Sequence, residues 1–152
     1  MPHVSVIIPT CDRPAMLAEA LHSVQAQTWT DMDVVVVANG WEPLPAELTD
    51  TFSFVHFLDI PPRSGAAVAR NWGAMNATGT FVSFLDDDDL WPPDFLEQML
   101  RQAGAEEADL TAARIHVKGR GERVITPLLP DAAGGFNSWR QMGYSGSNIL
   151  VR

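Results

Sequence analysis

The feature that most constrains this chain is an alternation, repeated three times before Gly104, of short β-branched apolar runs with longer stretches whose apolar residues recur every three or four positions. His3 to Pro9 (HVSVIIP) is apolar, rich in β-branched residues and closed by proline, the pattern of a strand buried on both faces. A strand with no polar face needs cover above and below, so it belongs inside a sheet flanked by helices. The next stretch, CDRPAMLAEALHSVQAQ, supplies such cover. Pro14 stands near a helix start, and Leu17, Leu21 and Val24 fall on one apolar stripe.

The same logic extends down the chain. Asp33 to Ala38 (DVVVVA) is a second buried strand ending at Asn39-Gly40, and Phe54 to Leu58 is a third, after a proline-containing loop. Ser64-Gly65 opens a helix, AAVARNWGAMNAT, for which Val68, Trp72 and Met75 are the expected core face and Gly79 the expected C-terminal cap. Thr80 to Leu85 is the next strand and runs directly into Asp86-Asp87-Asp88-Asp89. Trp91-Pro92-Pro93 then starts a helix from Asp94 to Ala103, stopped at Gly104. From Ala108, DLTAARIHVK, Gly119-Arg120-Gly121 and ERVIT read as one antiparallel edge hairpin. Pro127 to Gly146 is rich in glycine and proline, and the sequence ends inside a strand-like segment, Asn148 to Arg152. These signals predict one α/β domain over residues 1–152, a mostly parallel central sheet flanked by helices with an antiparallel edge hairpin, truncated at its C-terminal side.

Charge narrows the partners. Nineteen acids against ten bases give a net charge of −9, which excludes nucleic acid and anionic membrane, since either needs a basic face. Nine of the ten bases are arginine, with Lys118 the exception, and this favours planar, bidentate anion contacts over lysine chemistry. No basic leader and no apolar run near the roughly 20 residues of a membrane span occurs, so the expectation is a cytoplasmic protein without a transmembrane segment. Cys11 has no partner for a disulfide and reads as a small apolar filler at a strand end. His3, His22, His56 and His116 show no metal-ligand spacing.

In an open α/β sheet, ligands bind outside the carboxyl ends of the strands, and here those ends carry Pro9-Thr10, Asn39-Gly40 and the aspartates. Four adjacent carboxylates repel one another unless a positive group sits among them, and hard oxygen ligands suit magnesium or manganese. A solvated loop whose last aspartate caps the following helix accounts for only one of the four. A cation bridging the aspartates to an anionic diphosphate accounts for more, with Arg13 and Arg70 adding charge-assisted contacts.

Two segments, VSVIIPTCDRP and SGAAVARNWGAMNATGTFVSFLDDDDLWPPDFLEQML, together resemble the inverting family 2 glycosyltransferases, which have the GT-A nucleotide-diphospho-sugar transferase fold. The resemblance covers most of residues 3 to 103 in order and spacing. It implies that Thr10 and Arg13 line the base pocket, that Pro9 belongs to the nucleotide-sugar site, and that Arg70 approaches the nucleotide. Asp86 would meet the ribose and share a Mn²⁺ or Mg²⁺ ion with Asp88, and Asp87 would join one of these roles. The implied donor is a UDP- or GDP-sugar; the acceptor and the oligomeric state are not legible.

Two positions depart from the family pattern. Where members carry an aspartate pair after the second strand, this chain reads Ala38-Asn39, and the Asn39 amide offers a base both a donor and an acceptor. The general base of inverting transfer is expected beyond the segment GYSGSNILVR, where the sequence ends; Asp131, the only acid after Glu122, reads as a surface loop residue. The alternative to an enzyme is therefore a nucleotide-sugar-binding module or an incomplete fragment without transferase activity. A receiver-type phosphoryl-transfer domain fits poorly, because the first strand ends in Pro9-Thr10, the lone lysine sits at the hairpin turn, and Asp12 reads as a helix-start residue. Trp91, beside the acids, is open to two readings: a cover for the sugar or an anchor for the helix start.

Overall fold

A computed structural model describes residues 3–117, 122–125 and 147–152. Its centre is β1 (Val4–Thr10), every residue of which is buried. Beside it run β2 (Met32–Ala38) and then β3 (Val55–Asp59), and on the other side β4 (Phe81–Phe84), all parallel. The predicted central strand and the mostly parallel α/β sheet are what the chain forms. Two short strands, β5 (Leu110–Ala112) and β8 (Ile149–Val151), complete a six-stranded sheet in the order β3-β2-β1-β4-β8-β5, with β8 antiparallel to both neighbours.

The pleat explains the two-sided burial. Val4, Val6 and Ile8 face one layer, where they pack with Leu17, Leu21 and Val24 of α1 (Pro14–Gln25) and with Leu96, Met99 and Leu100 of α4 (Phe95–Ala105). Ile7 faces the other layer, with Val35, Val37 and Ala69 of α3 (Ala66–Met75). A short helix, α2 (Ala46–Thr51), forms within the proline-containing loop and buries Leu48.

Four expectations need correcting. The face that α3 turns to the sheet is Ala69 and Gly73, whereas Val68, Trp72 and Met75 are exposed. The helix lies so close that a Cβ on Gly73 would stand 2.3 Å from Ile7 Cγ2, leaving no room for a large side chain. Gly79 is not a cap, since α3 ends at Met75. It is the close approach of the turn before β4 to β1, where a Cβ would meet backbone atoms of His3, Ser5 and Phe81 within 2.9 Å. Gly104 lies inside α4, which continues to Ala105. The edge hairpin is divided: Leu110–Ala112 joins the main sheet, and only β6 (Ile115–Val117) and β7 (Arg123–Ile125) pair as a separate antiparallel ribbon. The Gly119-Arg120-Gly121 turn, Asp131 and the Pro127 to Gly146 stretch lie outside the described residues.

The strand order also fixes where a ligand belongs. From β1 the chain winds outward through β2 and β3, then returns to place β4 on the opposite side of β1, so the winding reverses between β1 and β4. The carboxyl ends of two strands at such a reversal splay their following loops apart and leave a crevice. At the opposite end of the sheet, His3 sits between Asp31 (2.8 Å) and Asp33 (3.0 Å) and ties the starts of β1 and β2 together. The hydrogen bond to Asp31, with the charges of both acids, holds its imidazole above the usual value despite some loss of hydration.

Candidate functional site

At the reversal, the two strand ends are joined by one buried contact. Thr10, the last residue of β1, donates its hydroxyl to Oδ2 of Asp87 at 2.6 Å, two residues beyond the Leu85 that bonds Ile7. Asp87 is fully buried. Burial pushes its carboxyl up, against the opposing pull of the Thr10 hydroxyl, the Arg13 charge and the Cys11 amide. Arg13, the residue before α1, forms an ion pair with Asp87 and a second one at 2.9 Å with Asp88. Partial desolvation lowers the affinity of Arg13 for its proton, but the two aspartates outweigh it and the net shift is upward.

The aspartates thus separate into distinct environments. Asp88 is half exposed, at 48%, and Asp86 is at 27%. Asp86 is paired with Arg70 of α3, whose Nε is buried without a hydrogen-bond partner among the described residues. The Asp86 amide donates to Oγ of Ser147 at 2.8 Å, and the Asp89 amide closes a turn onto the Asp86 carbonyl at 3.1 Å. Ser147 went unnoticed in sequence because nothing about a serine in a glycine-rich stretch signals that its hydroxyl meets a strand end 61 residues earlier. Trp91 resolves as an anchor. It is 5% exposed, stacks on Phe95 with centroids 4.4 Å apart, and donates its indole N–H to the Ser147 carbonyl at 2.7 Å.

Two hollows of about 230 Å³ each flank the ends of β1 and β2. One is lined by Pro9, Thr10, Arg13, Asn39, Arg63 and Gly65, so four residues singled out from sequence share it with an arginine and a glycine that were not. Gly65 stands at the start of α3, where the sequence places a helix opening, with φ +91°, a conformation open to glycine. Arg63 carries no such signal. The other hollow is more apolar and includes Ala38, Gly40, Leu44 and Pro45.

Asp12 is not the helix-start cap that sequence predicted. It adopts φ +54° and accepts backbone N–H bonds from Trp41 (2.9 Å) and Glu42 (3.4 Å), while Arg13 takes the cap position. Its carboxylate occupies the space beside Gly40, where a Cβ would lie 2.1 Å from Oδ1, so the two loops that frame the hollows are locked together. Cys11 is half-buried at the same junction, its thiol 3.7 Å from the Asn39 carbonyl.

Residues 5–148 match the profile described as Glycosyl transferase family 2. The chain belongs to this family. One relative is a putative teichuronic acid biosynthesis glycosyltransferase, TuaG, of Bacillus subtilis, 33% identical over 103 residues, covering 65% of this chain and 41% of TuaG. The chain spans less than half the length of the curated relatives it matches. Among solved structures, TarS 1-349 of S. aureus in complex with UDP-GlcNAc superposes with a TM-score of 0.71 at 23% identity, over 83% of this chain and 37% of that one. A mannosyltransferase from Pyrobaculum calidifontis, in complex with GDP-Man and Mn²⁺, gives 0.62 at 24% identity, over 74% and 35%. These likenesses show that the chain shares the fold of these glycosyltransferases. Among the described residues no helix is long and apolar enough to cross a membrane.

Proposed function

We propose that this chain is the donor-binding part of an inverting glycosyltransferase, holding a UDP- or GDP-sugar together with Mn²⁺ or Mg²⁺ in the crevice between β1, β2 and β4. The observation that carries the reading is the convergence of Thr10, Arg13, Arg70 and Asp86 to Asp88 on the strand reversal, through contacts that span up to 77 residues of sequence. The TarS and mannosyltransferase complexes, with UDP-GlcNAc and GDP-Man, support a nucleotide sugar as the ligand.

The donor set fits a divalent cation of the magnesium type. Among the described residues no three acidic, histidine or cysteine side chains converge as a ready cage, but Asp86 and Asp88 each present a partly exposed carboxylate. Magnesium and manganese are commonly held in this way, by one or two carboxylates with phosphate oxygens and water completing the shell. Bound there, such an ion would neutralise the charge that develops on the departing nucleotide diphosphate.

The protein's own groups have separable tasks in this reading. Asp87 is too deep to touch a ligand and acts as a positioning residue, fixing Thr10 and Arg13 at the crevice floor. Arg13 and Arg70 supply guanidinium donors for the diphosphate, and Asn39 supplies the base with an amide. Transfer further requires a general base, which this reading places beyond the described residues; Asp131 also lies outside them. Calorimetric titration with UDP and GDP, with and without Mn²⁺, tests the site. Nucleotide binding should depend on the metal and fall by about ten-fold or more in Asp88→Ala, the loss of one charge-assisted ligand. Metal-independent binding, or wild-type affinity in the variant, would sink the assignment.

A further inference from the structure

One residue holds both ends of the aspartate turn. β8 runs antiparallel to β4, with Val82 opposite Val151 and Ser83 opposite Leu150, and continuing that register past the strand ends sets Asp86 opposite Ser147. There the two segments are joined by a side chain. The Asp86 amide donates to the Ser147 hydroxyl at 2.8 Å and has no other acceptor among the described residues, while the Ser147 carbonyl accepts the Trp91 indole N–H at 2.7 Å. Ser147 thus meets the chain where it enters the turn and again where it leaves for α4. Ser147 and Trp91 are both buried, so water is poorly placed to replace either bond. Between the two anchors the Asp89 amide closes onto the Asp86 carbonyl, and the carboxylates of Asp86 and Asp88 keep contact with solvent.

We propose that Ser147 is a positioning residue for the cation site: by bracing both ends of the aspartate turn, it sets the spacing of the Asp86 and Asp88 carboxylates. The inference rests on the donor-site reading above and deepens it. Ions of the magnesium type demand near-ideal octahedral oxygens at close range, so two carboxylates on a loose turn would lose affinity to the entropy of ordering them. A turn pinned at both ends has met that cost on folding. In the structure Arg70 and Arg13 also hold the two carboxylates, but a cation competes for those same oxygens. The Ser147 contacts run to an amide and an indole, which a cation does not contest. They are the hold that persists when the ion is bound.

The test compares Mn²⁺ affinity with stability in the full 152-residue chain. Mn²⁺ is titrated in saturating UDP or GDP and its free fraction read by electron paramagnetic resonance, and urea unfolding is followed on the same samples. Ser147→Ala removes the acceptor of the Asp86 amide and should weaken Mn²⁺ by about ten-fold, as the loss of an outer hydrogen bond that orients a metal ligand does. Trp91→Phe keeps a ring against Phe95, drops the indole donor, and should weaken Mn²⁺ by about three-fold or more; should Ser147→Ala not fold, this variant carries the comparison. Ser83→Ala is the control. It removes a buried serine hydroxyl from the same β4–β8 seam, bonded to the Ile149 carbonyl at 2.7 Å, without touching the turn. It should lower stability by a similar amount and leave Mn²⁺ affinity within about two-fold of wild type. Wild-type Mn²⁺ affinity in Ser147→Ala or Trp91→Phe would reduce these contacts to parts of the fold and overturn the proposal. An equal loss in Ser83→Ala overturns it too, since the effect would then be a general loosening of the seam. If the wild-type chain itself binds no Mn²⁺ with either nucleotide, the donor site fails and takes this inference with it.

Discussion

Among the described residues Asp87 is the costliest charge, because it is fully enclosed while its neighbours Asp86 and Asp88 keep contact with water. A buried carboxylate persists when its oxygens are met by donors and a counter-charge, here the Thr10 hydroxyl and the Arg13 guanidinium. Removing it strands the buried Thr10 hydroxyl at the joint between the two central strands and leaves Arg13 with Asp88 alone. Asp87→Ala should therefore lower stability by about 1–3 kcal/mol in urea unfolding, the cost of stranding buried polar groups. Asp88→Ala, at a half-exposed position, should stay within about 0.5 kcal/mol of wild type. Equal losses in the two variants would show that Asp87 has no special place in the fold. In sequence no local signal tells the four aspartates apart, and it was the family resemblance that singled out Asp86 and Asp88. Which of them turns inward depends on how the chain leaves β4 and on Thr10 across the reversal, a contact that no local signal carries.

At the scale of elements, what the sequence conveyed depended on how much side-chain mass each packing face uses. β1, α1 and α4 bury large aliphatic residues at regular spacing, so periodicity identifies them directly. α3 misleads because its contact with the sheet is made by backbone proximity: Ala69 and Gly73 sit on Ile7 and Val37, and the large residues of the helix are left outside. The consequence is an inverted mutational pattern. Gly73→Ala gains helix propensity of about 1 kcal/mol but drives a methyl into Ile7, and overpacking of this kind costs about 1–3 kcal/mol. A net loss of up to about 2 kcal/mol is expected in thermal or urea unfolding. Trp72→Gln, on the exposed face, should change stability by less than about 0.5 kcal/mol. A tryptophan variant more damaging than the glycine variant would mean that the helix is rotated from the orientation described. The short strand β5 and the divided ribbon were misread for a related reason, since three residues are too few to show which sheet a strand joins.

For the whole molecule the proposed function raises the question of how a chain of net charge −9 would accept a ligand that is itself a polyanion. Long-range attraction is unavailable, so affinity has to come from local charges, and the two arginines that could provide them are each engaged by an aspartate. A diphosphate that draws Arg13 and Arg70 toward itself leaves Asp86 and Asp88 unneutralised. A divalent cation on those carboxylates removes that penalty, and by the same exchange frees the arginines. Cation and nucleotide should therefore bind with positive coupling, and linkage requires the effect to be equal in both directions. Titration of UDP with and without saturating Mn²⁺, and of Mn²⁺ with and without UDP, should give the same enhancement, on the order of 10- to 100-fold. The arginine exchange has a sharper consequence in Arg13→Ala. With the guanidinium gone, Mn²⁺ no longer competes for Asp88, so its affinity in the absence of nucleotide should rise while that of UDP falls and the coupling shrinks. If Arg13→Ala weakens Mn²⁺ and UDP alike with the coupling intact, the arginine is a passive part of the crevice wall and the exchange does not occur.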